Sequence, residues 1–123
     1  MLYAILCYDS EDAVGAWTQE QDDAAIAKLM VVQDRLAQAG RLGPVARLMG
    51  TKSAKTMRKG VHPVVLDGPF AETKEVLLGF YVVECESPEQ ALETAAELAA
   101  ASSSAGAFEI RPLRVFRPGA LAP

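Results

Sequence analysis

The residues best suited to chemistry in this 123-residue chain gather around one turn. Asp67-Gly68-Pro69-Phe70 leads into Glu72, Lys74 and Glu75, and Tyr81 stands on the apolar run that follows. Asp67 is the candidate catalytic carboxylate, as a general base or hydrogen-bond acceptor. A carboxylate buried beside apolar groups holds its proton more tightly, which suits acid–base work. Phe70, Lys74 and Tyr81 are candidate ligand contacts: a ring, an anion partner and a hydroxyl donor. His62, the one histidine, belongs to the same set because imidazole titrates near neutrality. Arg111 is a further group able to polarise a substrate. The structural alternative is a plain turn in which Asp67 caps the loop, Phe70 plugs a core edge and the other charges are solvated. For His62 that alternative is an exposed strand-end histidine, since Pro63 fixes it at a strand entrance.

The elements that must position these groups follow from the apolar pattern. Leu2 to Tyr8 reads as a strand. A first helix starts at Thr18, where Thr18 and Gln21 form a capping box, and Gly40 supplies its left-handed stop. Ile26, Leu29, Met30, Leu36 and Ala37 give that helix one apolar face. Strands are expected over Leu42 to Met49, Lys55 to Lys59, His62 to Leu66 and Leu77 to Cys85. Ser87-Pro88-Glu89-Gln90 opens a second helix with a capping box and proline at the first helical position. Its face of Ala91, Leu92, Ala95, Leu98 and Ala99 is small enough to sit close against a sheet. Phe108 to Phe116 closes the pattern as a strand, and Pro112 favours an edge position or a bulge for it.

Strand, helix, strands, helix, strand predicts an α+β fold of the ferredoxin-like kind, an antiparallel sheet with two helices on one face. The first strand and Leu77–Cys85 are apolar at both parities, whereas a sheet with one wet face alternates. The uncovered face therefore calls for a second copy of the chain, and a homodimer is expected. Residues 1–117 form one domain and 118–123 a tail.

Composition narrows the function classes. Half of the residues are apolar, and the net charge is −4, which argues against nucleic acid as a general partner. Seven basic residues between Arg35 and Leu66, with no acidic one, make a charge asymmetry that reads first as a solvated hairpin and next as a contact for a small anionic ligand. No aromatic accompanies them to stack on bases. The N-terminal run is too short to span a membrane and lacks a basic leader, so a cytoplasmic location is the default. Two cysteines, Cys7 and Cys85, with a single histidine cannot build a four-ligand zinc site, and they read as buried reduced thiols. With no P-loop, dinucleotide glycine fingerprint or nucleophile elbow, no cofactor or metal is expected.

The stretch Asp67 to Glu75, followed by Leu78-Gly79-Phe80-Tyr81, closely resembles the DGPF signature of the YCII-related proteins. Leu2 to Leu6 and Glu109 to Leu113 look like that family's first and last strands. The resemblance covers nearly the whole chain. It implies a ferredoxin-like domain of the dimeric α+β barrel type, and DGPF-type relatives are often associated with bacterial alternative sigma factors. Other branches of the family use a His–Asp pair in a cleft. The first helix here has no histidine and His62 stands elsewhere, so the histidine mechanism does not carry over; the DGPF segment itself matches, which singles out Asp67. Two functions follow. One is a homodimer binding a small anionic or aromatic ligand in a regulatory or stress role. The other is a cofactor-independent lyase or isomerase with Asp67 as base.

Overall fold

The computed structural model describes residues 1–102 and 104–122. Six strands and three α-helices appear, in the order β1 (Leu2–Asp9), α1 (Glu11–Gly15), α2 (Gln19–Gln38), β2 (Leu42–Arg47), β3 (Lys55–Arg58), β4 (Val64–Asp67), β5 (Val76–Glu84), α3 (Pro88–Ala101) and β6 (Ala107–Pro112). Four strands make an antiparallel sheet in the order β2-β5-β1-β6, while β3 and β4 pair only with each other. The main sheet with α2 and α3 is ferredoxin-like, and the β3–β4 hairpin is inserted between its second and third strands. The sheet is open rather than closed into a barrel.

The caps place the helices where the sequence signals them. Thr18 and Gln21 form a reciprocal capping box at the start of α2, with Oγ1 of Thr18 accepting from the Gln21 amide at 3.1 Å. Gly40 ends the helix with φ +70°, a conformation that favours glycine. At α3 the box is only half formed. Ser87 Oγ accepts from the Gln90 amide, but the Gln90 side chain accepts from Glu86, one residue before the cap. A short helix, α1, capped by Ser10, follows β1 directly. The last strand ends at Pro112 instead of reaching Phe116. It is an edge strand, as a proline without an amide donor requires.

The core lies between the sheet and α2/α3. Cross-strand register places Leu42, Val83 and Tyr3 in one row and Val45, Tyr81, Ile5 and Ile110 in the next. Ile5, Val83, Ala91 and Leu98 are fully buried in this layer, with Leu36 of α2 at 2% exposure. Cys85 is buried here and Cys7 is half-buried; both are free thiols. At the end where α3 starts, a partly buried polar clamp joins the layers. Arg41 donates through Nε to the Glu84 carbonyl at 3.0 Å and through Nη2 to Thr94 Oγ1 at 2.7 Å, and Thr94 in turn donates to the Gln90 carbonyl. No helix among the described residues is long and apolar enough to cross a membrane.

Candidate functional site

Toward its opposite end the helix layer opens. The last row there that all four strands share is Arg47, Gly79, Cys7 and Phe108. Two small side chains thus sit side by side in the floor, between a guanidinium and a ring. Gly79 is needed for its own reason: a Cβ there would stand 2.5 Å from the Ala46 carbonyl oxygen, so any other residue would push β2 away from β5. On α2, Asp22, Ala25, Ile26, Leu29 and Gln33 recur at three- and four-residue spacing along one wall, and α3 supplies Leu92, Ala96 and Ala99 along the other. These alanines fail to fill the gap that longer side chains would close. A cavity of about 700 Å³ results, lined mostly by apolar groups and open to solvent between the helices. That is ample room for a small organic molecule.

Few polar groups face this space. Cys7 lies in the floor, and burial pushes its thiol up to about 11, so it is a neutral thiol at physiological pH rather than a nucleophile. Tyr81 is likewise raised, first by burial and then by the neighbouring Cys7, partly offset by the Gln33 side chain. Its hydroxyl is therefore a neutral hydrogen-bonding group. Arg47 Nη1 donates to Asp22 Oδ1 at 3.2 Å, and Asp9 and Trp17 complete the lining near the end of β1 and the start of α2.

Of the residues singled out by type and spacing, Tyr81 alone lines this cavity. Asp67 ends β4 on the surface, its carboxylate 2.5 Å from Lys55 Nζ and its side chain 89% exposed. The turn after it is held by backbone, with the Gly68 amide donating to the Ala54 carbonyl at 2.8 Å and Gly68 adopting φ +103°. Phe70 is exposed and lies under the Arg58 guanidinium, 5.0 Å from its ring centre. His62 is exposed in the connection between β3 and β4, and Arg111 is exposed on β6 opposite Ala4. Lys74 borders a separate shallow cleft with Glu11, Asp12, Glu72 and Thr73. The turn thus leads out of the projecting hairpin, and the two apolar strands on either side of it belong to different sheets.

A family model of the YCII-related domain matches residues 1–117 of the chain. The chain belongs to the YCII-related family. A curated relative, the uncharacterised protein R00369 of Rhizobium meliloti (strain 1021), is 48% identical over 122 residues, which is 98% of each chain. In this YCII-related domain the cavity residues Cys7, Asp9, Trp17, Asp22, Gln33 and Arg47 belong to no sequence motif. Their only advance signal was a run of small residues, Gly79 and the alanines of α3. The alanine face fits the sheet closely at Ala91 and Ala95, which are buried, and leaves open space at Ala96 and Ala99.

Proposed function

We propose that this YCII-related protein binds a small, largely apolar ligand, aromatic in at least one part, in the cavity beneath α2 and α3, and that it does so as a homodimer with a regulatory role. The observation that carries the reading is the cavity itself: apolar walls, a few fixed polar groups and a size typical of ligand sites. A panel of small aromatic compounds tested by thermal shift should contain members that raise the melting temperature, because a ligand bound only to the native state stabilises it. Ala96→Phe puts a ring into the opening from an exposed helix position and should abolish those shifts while leaving the unliganded melting temperature nearly unchanged. Equal shifts in both proteins would refute the cavity as the site.

The dimer draws on exposed apolar surface. All four residues of β4 are exposed, Val64, Val65 and Leu66 by about half, together with Met57 on β3. A two-stranded hairpin with water on both faces is marginal alone. On the main sheet, Leu2, Ala4, Leu6 and Phe80 face away from the helices and are only partly covered. A second copy would cover both surfaces, and sedimentation giving a monomer at micromolar concentration would refute it. The lyase reading has weaker support, because Asp67 lies on the surface outside the cavity, paired with Lys55. Asp67→Asn should leave ligand-induced melting shifts intact.

A further inference from the structure

The charges lining the cavity point to the sign of the ligand. Three charged residues border it: Asp9, Asp22 and Arg47. Arg47 is already paired with Asp22 at 3.2 Å. Asp9 is half-buried at the end of β1. One of its oxygens accepts from the Ser10 amide at 2.8 Å, and no basic group among the described residues pairs with it. The basic residues of the chain's middle segment do not alter this balance. Lys55 and Arg58 are on the hairpin, engaged with Asp67 and Phe70, and apart from Arg47 none of them borders the cavity. An anion placed here would meet more carboxylate than guanidinium.

Aromatic residues add to the same preference. Tyr8, Trp17, Tyr81 and Phe108 line the space with Asp9. A ring face attracts a cation, and the attraction grows as water is excluded. A carboxylate beside aromatic residues in an apolar cleft recognises an organic ammonium group carried on an apolar body. Cys7 and Tyr81, both neutral at physiological pH, add no opposing charge. We infer that the cavity selects a hydrophobic amine or quaternary ammonium compound, with Asp9 as the counter-ion. This inference rests on the reading of the cavity as the ligand site and adds the charge of the ligand to it.

Three probes of matched shape separate the two claims: phenylbutylamine, phenylbutanol and phenylbutyrate. Binding is read by calorimetry and by the fluorescence of Trp17, the chain's single tryptophan, which lies at the site. The amine should bind about tenfold more tightly than the alcohol, the gain expected of one charge-assisted hydrogen bond, and the acid least. Asp9→Asn keeps the side-chain oxygen that accepts from Ser10 and removes the charge. It should bring the amine to the affinity of the alcohol without weakening the alcohol. Asp23→Asn removes the same charge from the exposed side of α2 and should leave the amine preference intact. Equal binding of all three probes, tighter binding of the acid, or loss of the preference in Asp23→Asn as much as in Asp9→Asn would overturn the inference while leaving the cavity as the site. Absence of binding by every probe would overturn the cavity reading together with it.

Discussion

The two ends of the helix layer use one helix pair in opposite ways. Where α2 ends and α3 begins, Leu36, Ala91 and Val83 interlock with almost no exposed area, and Arg41 joins the Glu84 carbonyl to Thr94. The Arg35–Glu97 ion pair also ties α2 to α3. At the far end Ile26 remains 39% exposed, and the floor is Gly79 and Cys7. Large side chains and a polar clamp close one end, and small side chains leave the other open. The closed end anchors both helices to the sheet, so the open end can stay unfilled without the layer collapsing. A pocket in a small domain requires this division, since close packing is the default of protein interiors.

Two truncations on the same helix test the contrast most strongly. Leu36→Ala removes a buried side chain from the closed end and should destabilise the fold by about 3 kcal/mol in urea denaturation. Ile26→Ala, on the cavity wall, should lower stability by about 1 kcal/mol or less, because the residue already borders open space. Similar losses at both positions would mean that the cavity is closed in solution. Thr94→Val examines the clamp. It keeps the side-chain shape but removes the oxygen that accepts from Arg41, and should cost about 1 kcal/mol. A neutral outcome would show that packing alone holds the closed end.

The same contrast explains how far the molecule can be read from its sequence. The elements themselves follow from local rules: the Thr18 capping box, the stop at Gly40 and proline at the start of α3 each announce themselves over a few residues. The ferredoxin-like order follows from those elements. The cavity is different. Arg47, Gly79, Cys7 and Phe108 come from four strands and meet only through register, and an alanine on α3 reads the same whether it packs or leaves a gap. The Asp67 turn shows the same limit from the other side. Its residue types suit a buried site, but β4 pairs only with β3, which carries Asp67 and Phe70 onto an exposed arm. Nothing local distinguishes a strand of the main sheet from a strand of a projecting hairpin.

A smaller effect comes from the titration of Cys7 in the cavity floor. Burial raises this thiol from an ordinary value near 9.0 to about 11. The folded state then holds its proton more tightly than the unfolded chain does. The associated stabilisation is fully present below about pH 9 and is lost as pH rises toward 11. Cys7→Ala should flatten the fall in stability across that window relative to the native protein, with little change at neutral pH. Native Cys7 should also react slowly with iodoacetamide at neutral pH, and more slowly still when a ligand fills the cavity. Rapid alkylation at neutral pH, indifferent to ligand, would place the thiol in open water and remove it from the floor.

The smallest predicted effect lies at the base of the hairpin, where the open end meets the arm. Glu11 accepts hydrogen bonds from the Thr51 amide at 2.6 Å and the Thr51 hydroxyl at 2.7 Å, and these hold its carboxyl below the ordinary value, the hydroxyl bond contributing most. A depressed carboxyl contributes stability above its ordinary range near 4.5 and loses it as pH falls through the folded value. The tether should therefore be complete at neutral pH and released in acid. Glu11→Gln can still accept one of the two bonds, so hydrogen exchange at the Thr51 amide should quicken only modestly at neutral pH and lose its dependence on acid. Leu36 and the cavity probes should be indifferent to the change, because the tether joins α1 to the start of the arm and touches neither the core nor the cavity floor. Loss of cavity binding in Glu11→Gln would instead show that the arm and the open end form one unit, and the contrast between the two ends would have to include the hairpin.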